Sequence, residues 1–248
     1  MIVKAYKTHK ISKEDSIYQI LDDYLPRLEE GSIVAIASKI VGICEGRVVK
    51  AESPEQKEEL VKKEAQYYLP RESNQYGVMI TITNNIMVAS AGIDESNADG
   101  NLALWPIDPQ ESANDIRSYL AKKLNLSRIG VVITDSRLAP LRWGVTGVAI
   151  SHSGFRALNS YVGKPDIYGR LMQMEKSNVA DSLAVAGVAE MGEGNEQRPL
   201  AVITDAKFVH FQKRNPTKKE LEDLIIRLGE DVYSTMLTSV KWERGGKE

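Results

Sequence analysis

The chain of 248 residues is long enough to bury a substantial core, as one large domain or two closely packed ones. It is 42% apolar and 27% charged with a formal net charge of −2, so it is an ordinary globular composition with no electrostatic footprint for nucleic acid or an anionic membrane. A single cysteine, Cys44, excludes an internal disulfide and a cysteine-based zinc cluster; with no apolar leader and no membrane-length apolar run, the expectation is a cytoplasmic protein.

Ile2–Tyr6 alternates as a short strand. Ser12, with Asp15 three residues on, reads as a helix start that places Ile17, Ile20, Leu21 and Leu25 on one face, and Pro26 and Gly31 close that unit. Ser32–Ala37 is a continuous apolar run, the pattern of a strand buried on both faces. It hands out Ser38 and Lys39 at its end. Lys39 either grips a phosphate as a point charge or carries its ammonium out to solvent. Residues 45–49 read as a turn into a short strand. Ser53-Pro54 with Gln56 is a strong helix start, and that helix is expected to run to Leu69, where Pro70 stops it.

Residues 77–83 and Ile86–Ala89 flank Asn84-Asn85 as a hairpin with a tight turn. Its second strand leads into Ser90-Ala91-Gly92-Ile93-Asp94-Glu95-Ser96-Asn97. The small residues permit close approach to the backbone, and the oxygen-bearing side chains of Asp94, Ser96 and Asn97 follow, with a spare carboxylate at Glu95. Two readings stand side by side: a site for a divalent cation and the polar substrate it holds, or an Asx-turn in which Asp94 caps local amides.

Asp108-Pro109-Gln110-Glu111 starts another helix, with Ala113, Ile116, Leu120 and Leu124 on one face. Residues 129–134 read as a buried strand ending in Asp135-Ser136, a second strand end that delivers a carboxylate and a hydroxyl. Two such ends suggest a shared site. The strand at 144–150 is followed by His152 and Ser153; adjacent extended residues point to opposite faces, which excludes them as a nucleophile–base pair. Asp166-Ile167-Tyr168-Gly169-Arg170 forms a compact polar turn. An alanine-rich helix at 179–190 ends at Met191-Gly192-Glu193-Gly194-Asn195, before a strand at Leu200–Thr204. A helix C-terminus repels phosphate and welcomes a cation, which Glu193 is placed to bind; the alternative is a simple glycine cap. Thr217 with Glu220 starts a last amphipathic helix (Leu221, Leu224, Ile225, Leu228), residues 230–237 are helical again, and the charged tail is expected to fray.

Taken in order, Ala37-Ser38-Lys39-Ile40-Val41, Glu45-Gly46-Arg47-Val48-Val49, the stretch from Ala91 to Asn97, Ile133-Thr134-Asp135-Ser136, the turn from Asp166 to Arg170, and Met191-Gly192-Glu193 resemble the coenzyme F420-0:L-glutamate γ-ligases. The resemblance implies an α+β fold with mixed and antiparallel sheets, flanking helices and an intertwined homodimer. The main domain would cover residues 1–206, and residues 207–248 would pack on it. It implies a ligase that uses GTP (or ATP) with Mg2+ or Mn2+ to add L-glutamate to a carboxylate acceptor through an acyl phosphate. Asp94 and Asp135 match metal ligands, Ser136 a hydroxyl on a second metal, and Glu193 a further ligand. Ser38, Lys39, Asn97 and the loop of Gly192, Gly194 and Asn195 match nucleotide-binding positions. Arg142 and Arg170 are candidates for holding acidic substrate groups by bidentate pairing.

The chemistry of the residues agrees, since hard oxygen donors suit magnesium or manganese and the absence of clustered cysteine and histidine disfavours zinc. Departures lie elsewhere. Where the family carries Phe-Gly-Arg-Pro-Trp-Arg, this chain has Arg137-Leu138-Ala139-Pro140-Leu141-Arg142. Gly147 stands where an Asp is usual, and Ile43 where a lysine is usual. This pattern is expected of retained ligase chemistry on F420-0 or a changed acceptor such as a folate, with a non-catalytic nucleotide-binding relative as the alternative.

Overall fold

The computed structural model describes residues 1–247. In chain order its strands are β1 (Ile2–Tyr6), β2 (Ser32–Ala37), β3 (Val48–Val49), β4 (Tyr67–Leu69), β5 (Ile80–Thr83), β6 (Ile86–Ala89), β7 (Leu102–Ala103), β8 (Ile129–Leu138), β9 (Val145–Ser153), β10 (Leu158–Ser160), β11 (Lys176–Asn178), β12 (Leu200–Thr204) and β13 (Glu243–Arg244). The helices are α1 (Ile17–Tyr24), α2 (Ser38–Cys44), α3 (Pro54–Glu64), α4 (Pro109–Leu124), α5 (Val179–Met191), α6 (Lys218–Glu222) and α7 (Ser234–Leu237). This is the mixed α and β architecture that the sequence leads one to expect.

A five-stranded mixed sheet, ordered β1-β12-β2-β8-β9, forms the centre, and only the β2–β8 pair is parallel. The unbroken apolar run of β2 is explained by cover on both faces. Val34 and Ile36 pack with Ile20, Leu21, Ile116 and Leu120, and Ile33 and Ala35 pack with Ala180, Leu183 and Ala184 of α5. A second, antiparallel sheet, ordered β13-β4-β5-β6, encloses a smaller core of Val61, Ala65, Tyr68, Met79, Ile93 and Leu104.

Local signals explain the elements that match expectation. Asn84 and Asn85 both take positive φ in the β5–β6 turn. The Asp108 carboxylate accepts from the amides of Gln110 and Glu111, capping α4. Other elements differ. Ser12 does not cap α1; its amide and hydroxyl donate to Asp15 in a turn of their own, and the helix begins at Ile17. The helix from Pro54 stops at Glu64, and Tyr67–Leu69 pairs with β5 and β13, because these aromatic residues gain more from a sheet with a buried face than from another helical turn. Ser38 and Lys39 open a short helix. The tail is ordered as far as Lys247: β13 pairs with β4, and Tyr68 Oη donates to Glu243 Oε2 at 2.7 Å. Glu248 lies outside the described residues. Among the described residues no helix is long and apolar enough to cross a membrane.

Candidate active site

The topology brings distant segments to one edge of the central sheet. β2 and β8 run parallel with Ala37 opposite Thr134, which brings Ser38-Lys39, just past the end of β2, beside Asp135-Ser136. The expected strand end at Thr134 is not there, because β8 continues to Leu138 with Asp135 paired to Val148 and Ser136 to Gly147 of β9. β12 runs antiparallel to β2 with Leu200 opposite Ile36, which returns the loop after α5 to the same edge. The stretch after β6 completes the group.

Lys39 Nζ lies 2.6 Å from Asp94 Oδ2, and also donates to the carbonyl and hydroxyl of Ser96 at 2.8 and 3.1 Å. Asp94 in turn accepts from the Ser96 amide at 2.6 Å and hydroxyl at 3.0 Å, so the Asx-turn is present. Asp94 is fixed from behind by reciprocal backbone bonds with Ala103. Asn97 Nδ2 donates to the Gly194 carbonyl at 3.0 Å, and Ser136 Oγ donates to Glu193 Oε1 at 2.7 Å. The loop after α5 is thus tied to the stretch after β6 through Asn97 and to β8 through Ser136. Ser38 is buried beneath the group, while Asn195 is exposed beside it.

Charge is distributed unevenly. Burial works against an ionised Asp94, but the Lys39 ammonium outweighs it and holds the carboxyl below its ordinary value. For Asp135 burial wins and pushes the carboxyl up to about 6; the indole of Trp105 and the Ser136 amide pull the other way, and the negative Asp94 adds to the rise. Asp94, Asp135 and Lys39 therefore feel one another's charge. Among the described residues no three histidine, cysteine, aspartate or glutamate side chains converge tightly enough to hold an ion by themselves.

Trp105 is a residue that sequence reasoning missed. Its indole Nε1 donates to Asp135 Oδ2, and its ring is buried. The close approach that the small residues after β6 permit is made by this ring: a Cβ on Gly92 would fall 2.2 Å from the indole. Ser90, Ala91 and Gly92 all take positive φ, held by the bond from the Ser90 amide to Met79 and from the Ala91 amide to the Thr81 hydroxyl. Arg47 supports the tryptophan, donating to its carbonyl at 3.2 Å and to Glu64 at 2.6 Å. A buried indole needs a hydrogen-bond partner, which is the one signal that could have marked Trp105.

The two arginines stand apart. Arg142 is exposed at the tip between β8 and β9, Arg170 is exposed in the loop between β10 and β11, and no described contact joins either side chain to the carboxylates. Two departures from the family pattern have packing explanations. A Cβ at Gly147 would come 2.6 Å from the Ala184 carbonyl of α5, and Ile43 is buried.

Comparison with known proteins gives the same reading of the chain. Residues 5–205 match the family model described as F420-0:Gamma-glutamyl ligase. A protein of Methanococcus maripaludis (strain S2) named coenzyme F420:L-glutamate ligase is 35% identical over 220 residues, covering 83% of this chain and 86% of that protein. Proteins of the same name from Methanocaldococcus jannaschii and Archaeoglobus fulgidus are 33% and 30% identical, over 79% and 78% of this chain and 85% and 82% of theirs. With four-fifths of each relative covered and the matched stretch spanning every segment of the site, the chain belongs to the F420-0:gamma-glutamyl ligase family.

Proposed function

We propose that the protein is a nucleotide-dependent amide ligase that joins L-glutamate to the free carboxylate of an acceptor, with F420-0 the leading acceptor and GTP the leading nucleotide. The observation that carries the reading is the tie between Lys39–Asp94, Asp135, Ser136–Glu193 and Asn97–Gly194 at one sheet edge, in a chain whose relatives are named for this reaction. Joining a carboxylate to an amine requires an activated acyl group, and transfer of a γ-phosphate to the acceptor carboxylate supplies it.

The residues fit Mg2+ or Mn2+. The donors are hard oxygens, and a buried carboxylate beside a second one is a poor arrangement without a cation. Protein oxygens alone do not close a shell, which suits magnesium, since it commonly takes one or two carboxylates and completes its coordination with phosphate oxygens and water. When bound, the ion would neutralise charge that develops on the phosphates. Asp94 and Asp135 would hold it, with Ser136 and Glu193 placed for a second ion. Lys39 would exchange Asp94 for a phosphate oxygen, Ser38 and the loop of Gly192, Gly194 and Asn195 would line the nucleotide, and Asn97 would orient it. Arg142 and Arg170, standing outside this group, would grip acidic groups at the outer end of the acceptor. We also propose a homodimer: Leu141, Trp143, Ile167 and Tyr168 leave large apolar side chains almost fully exposed at two loop tips, a surface suited to a second copy.

The test is incubation with labelled glutamate, Mg2+ or Mn2+, GTP or ATP, and a panel of F420-0 and folates. A product heavier by one glutamyl unit together with nucleoside diphosphate supports ligation, and the acceptor that gives it is identified directly. Nucleotide binding with no product across the panel would leave a non-catalytic relative instead.

A further inference from the structure

A cleft of about 560 Å³ opens beside the stretch that carries Asp94, within the size range of small-molecule sites. Its walls are the start of α3, Arg71, the segment before β5, Glu95 and residues 100–102. Asp94 faces the sheet edge, and its neighbour Glu95 faces this cleft, so a single step along the chain separates the two. The lining is amphoteric. Lys57 Nζ pairs with Glu95 Oε1 at 2.6 Å across the mouth, while Arg71 has only a loose partner, Glu58 at 3.9 Å. Glu58 is shared with Lys62 at 3.0 Å, and the long Arg71 contact leaves the guanidinium fork able to turn to a carboxylate in bidentate fashion.

This charge pattern selects among occupants. A nucleoside triphosphate carries only negative charge and would meet the carboxylates of Glu52, Glu58 and Glu95. An acceptor that offers only anionic groups gains nothing from them either. A dicarboxylic amino acid matches both signs: two carboxylates for Arg71 and Lys57, and an ammonium for Glu95. Its entry replaces the Lys57–Glu95 pair with one ligand contact to each partner, so each charge keeps an opposite partner. Taking the ligase reading as its basis, we propose that this cleft is the subsite for the incoming L-glutamate, with Arg71 and Lys57 holding its carboxylates and Glu95 its ammonium.

Arg71 and Lys57 lie at the surface, so Arg71→Ala and Lys57→Ala leave the fold intact. In the full reaction mixture each variant is expected to raise the KM for L-glutamate at least about tenfold while leaving the nucleotide KM within about twofold, and Arg71→Lys is expected to recover part of the loss. An unchanged glutamate KM, or a rise confined to the nucleotide or the acceptor, overturns the assignment. Equilibrium dialysis with labelled L-glutamate separates this proposal from the ligase reading. Binding to the native chain that is lost in Arg71→Ala, with no ligation by either, keeps the cleft and removes the ligase. Ligation with the same glutamate KM in both does the reverse. Glutarate, which lacks the ammonium, should compete with glutamate poorly in the native chain and relatively better in Glu95→Gln; equal competition in both removes the role of Glu95.

Discussion

At the scale of single residues the site depends on which carboxylate is free to meet a cation. Asp94 is paired with Lys39, which holds its carboxyl low, whereas burial pushes the Asp135 carboxyl up to about 6 and an indole orients it. Asp94→Asn and Asp135→Asn are each expected to abolish Mg2+-dependent nucleotide binding in calorimetry, and undiminished binding in both would remove the metal assignment. Trp105→Phe keeps the ring that fills the space against Gly92 and deletes only the donor to Asp135; a loss of about tenfold in metal affinity with a small change in stability is expected, the usual effect of removing a group that orients a ligand. Gly147 carries a different kind of constraint. Any side chain there drives into the backbone of α5, so Gly147→Asp, which restores the residue common in the family, should destabilise the fold by about 2 kcal/mol or more in denaturant titration. The Asp181 carboxylate of α5 already occupies this neighbourhood, accepting from the Ala149 amide at 3.0 Å and from Arg137 at 3.3 Å. Restoring the aspartate would therefore place like charges together as well.

At the scale of elements, what the sequence reveals depends on how far away the cause lies. The α4 start, the β5–β6 turn and the apolar run of β2 are legible because caps, left-handed asparagines and two-sided burial act within a few residues. Asp108→Ala should accordingly cost about 1 kcal/mol, since one carboxylate serves two amides. The apolar run 129–134 was legible as a strand but its end was not, because β9 supplies partners that carry β8 on through Asp135 and Ser136 to Leu138. β4 was not, because the strand that completes its pairing arrives from the far end of the chain, and no local signal distinguishes Tyr67–Leu69 from a continuation of α3. The tail looked frayed by composition yet forms β13. Removing residues 243–248 should release the Tyr68 hydroxyl and leave β4 an edge strand paired to β5 alone, which hydrogen exchange would register as reduced protection at 67–68, with a stability loss of about 1–2 kcal/mol. Trp105 was illegible for a related reason: its partner lies thirty residues away on another element.

At the scale of the whole molecule, two buried groups give opposing responses to acid. His152 lies in β9 against Phe155; burial pushes its imidazole down from 6.5 to about 4, with the Glu220 charge opposing the shift. Asp135 is displaced the other way, from 3.8 up to about 6. Between pH 6.5 and 4 the unfolded chain binds the histidine proton more readily than the folded one, so this group removes stability as the pH falls. Between pH 6 and 3.8 the folded chain binds the aspartate proton more readily, so that group adds stability as the pH falls. Each effect is worth about 3 kcal/mol, and their windows overlap almost completely. In the metal-free protein the two should nearly offset, leaving a shallow acid limb until the paired carboxylates such as Glu220, held low chiefly by Arg214, begin to protonate. The offset is exposed by removing one member at a time. Relative to the native chain, Asp135→Asn should lose about 3 kcal/mol between pH 7 and pH 4, and His152→Gln should gain about 3 kcal/mol over the same range. Denaturant titrations of the three proteins at each pH measure both differences. Curves that stay parallel across that range would show that neither group is displaced as the fold requires, and that the buried polar positions on β8 and β9 are open to water.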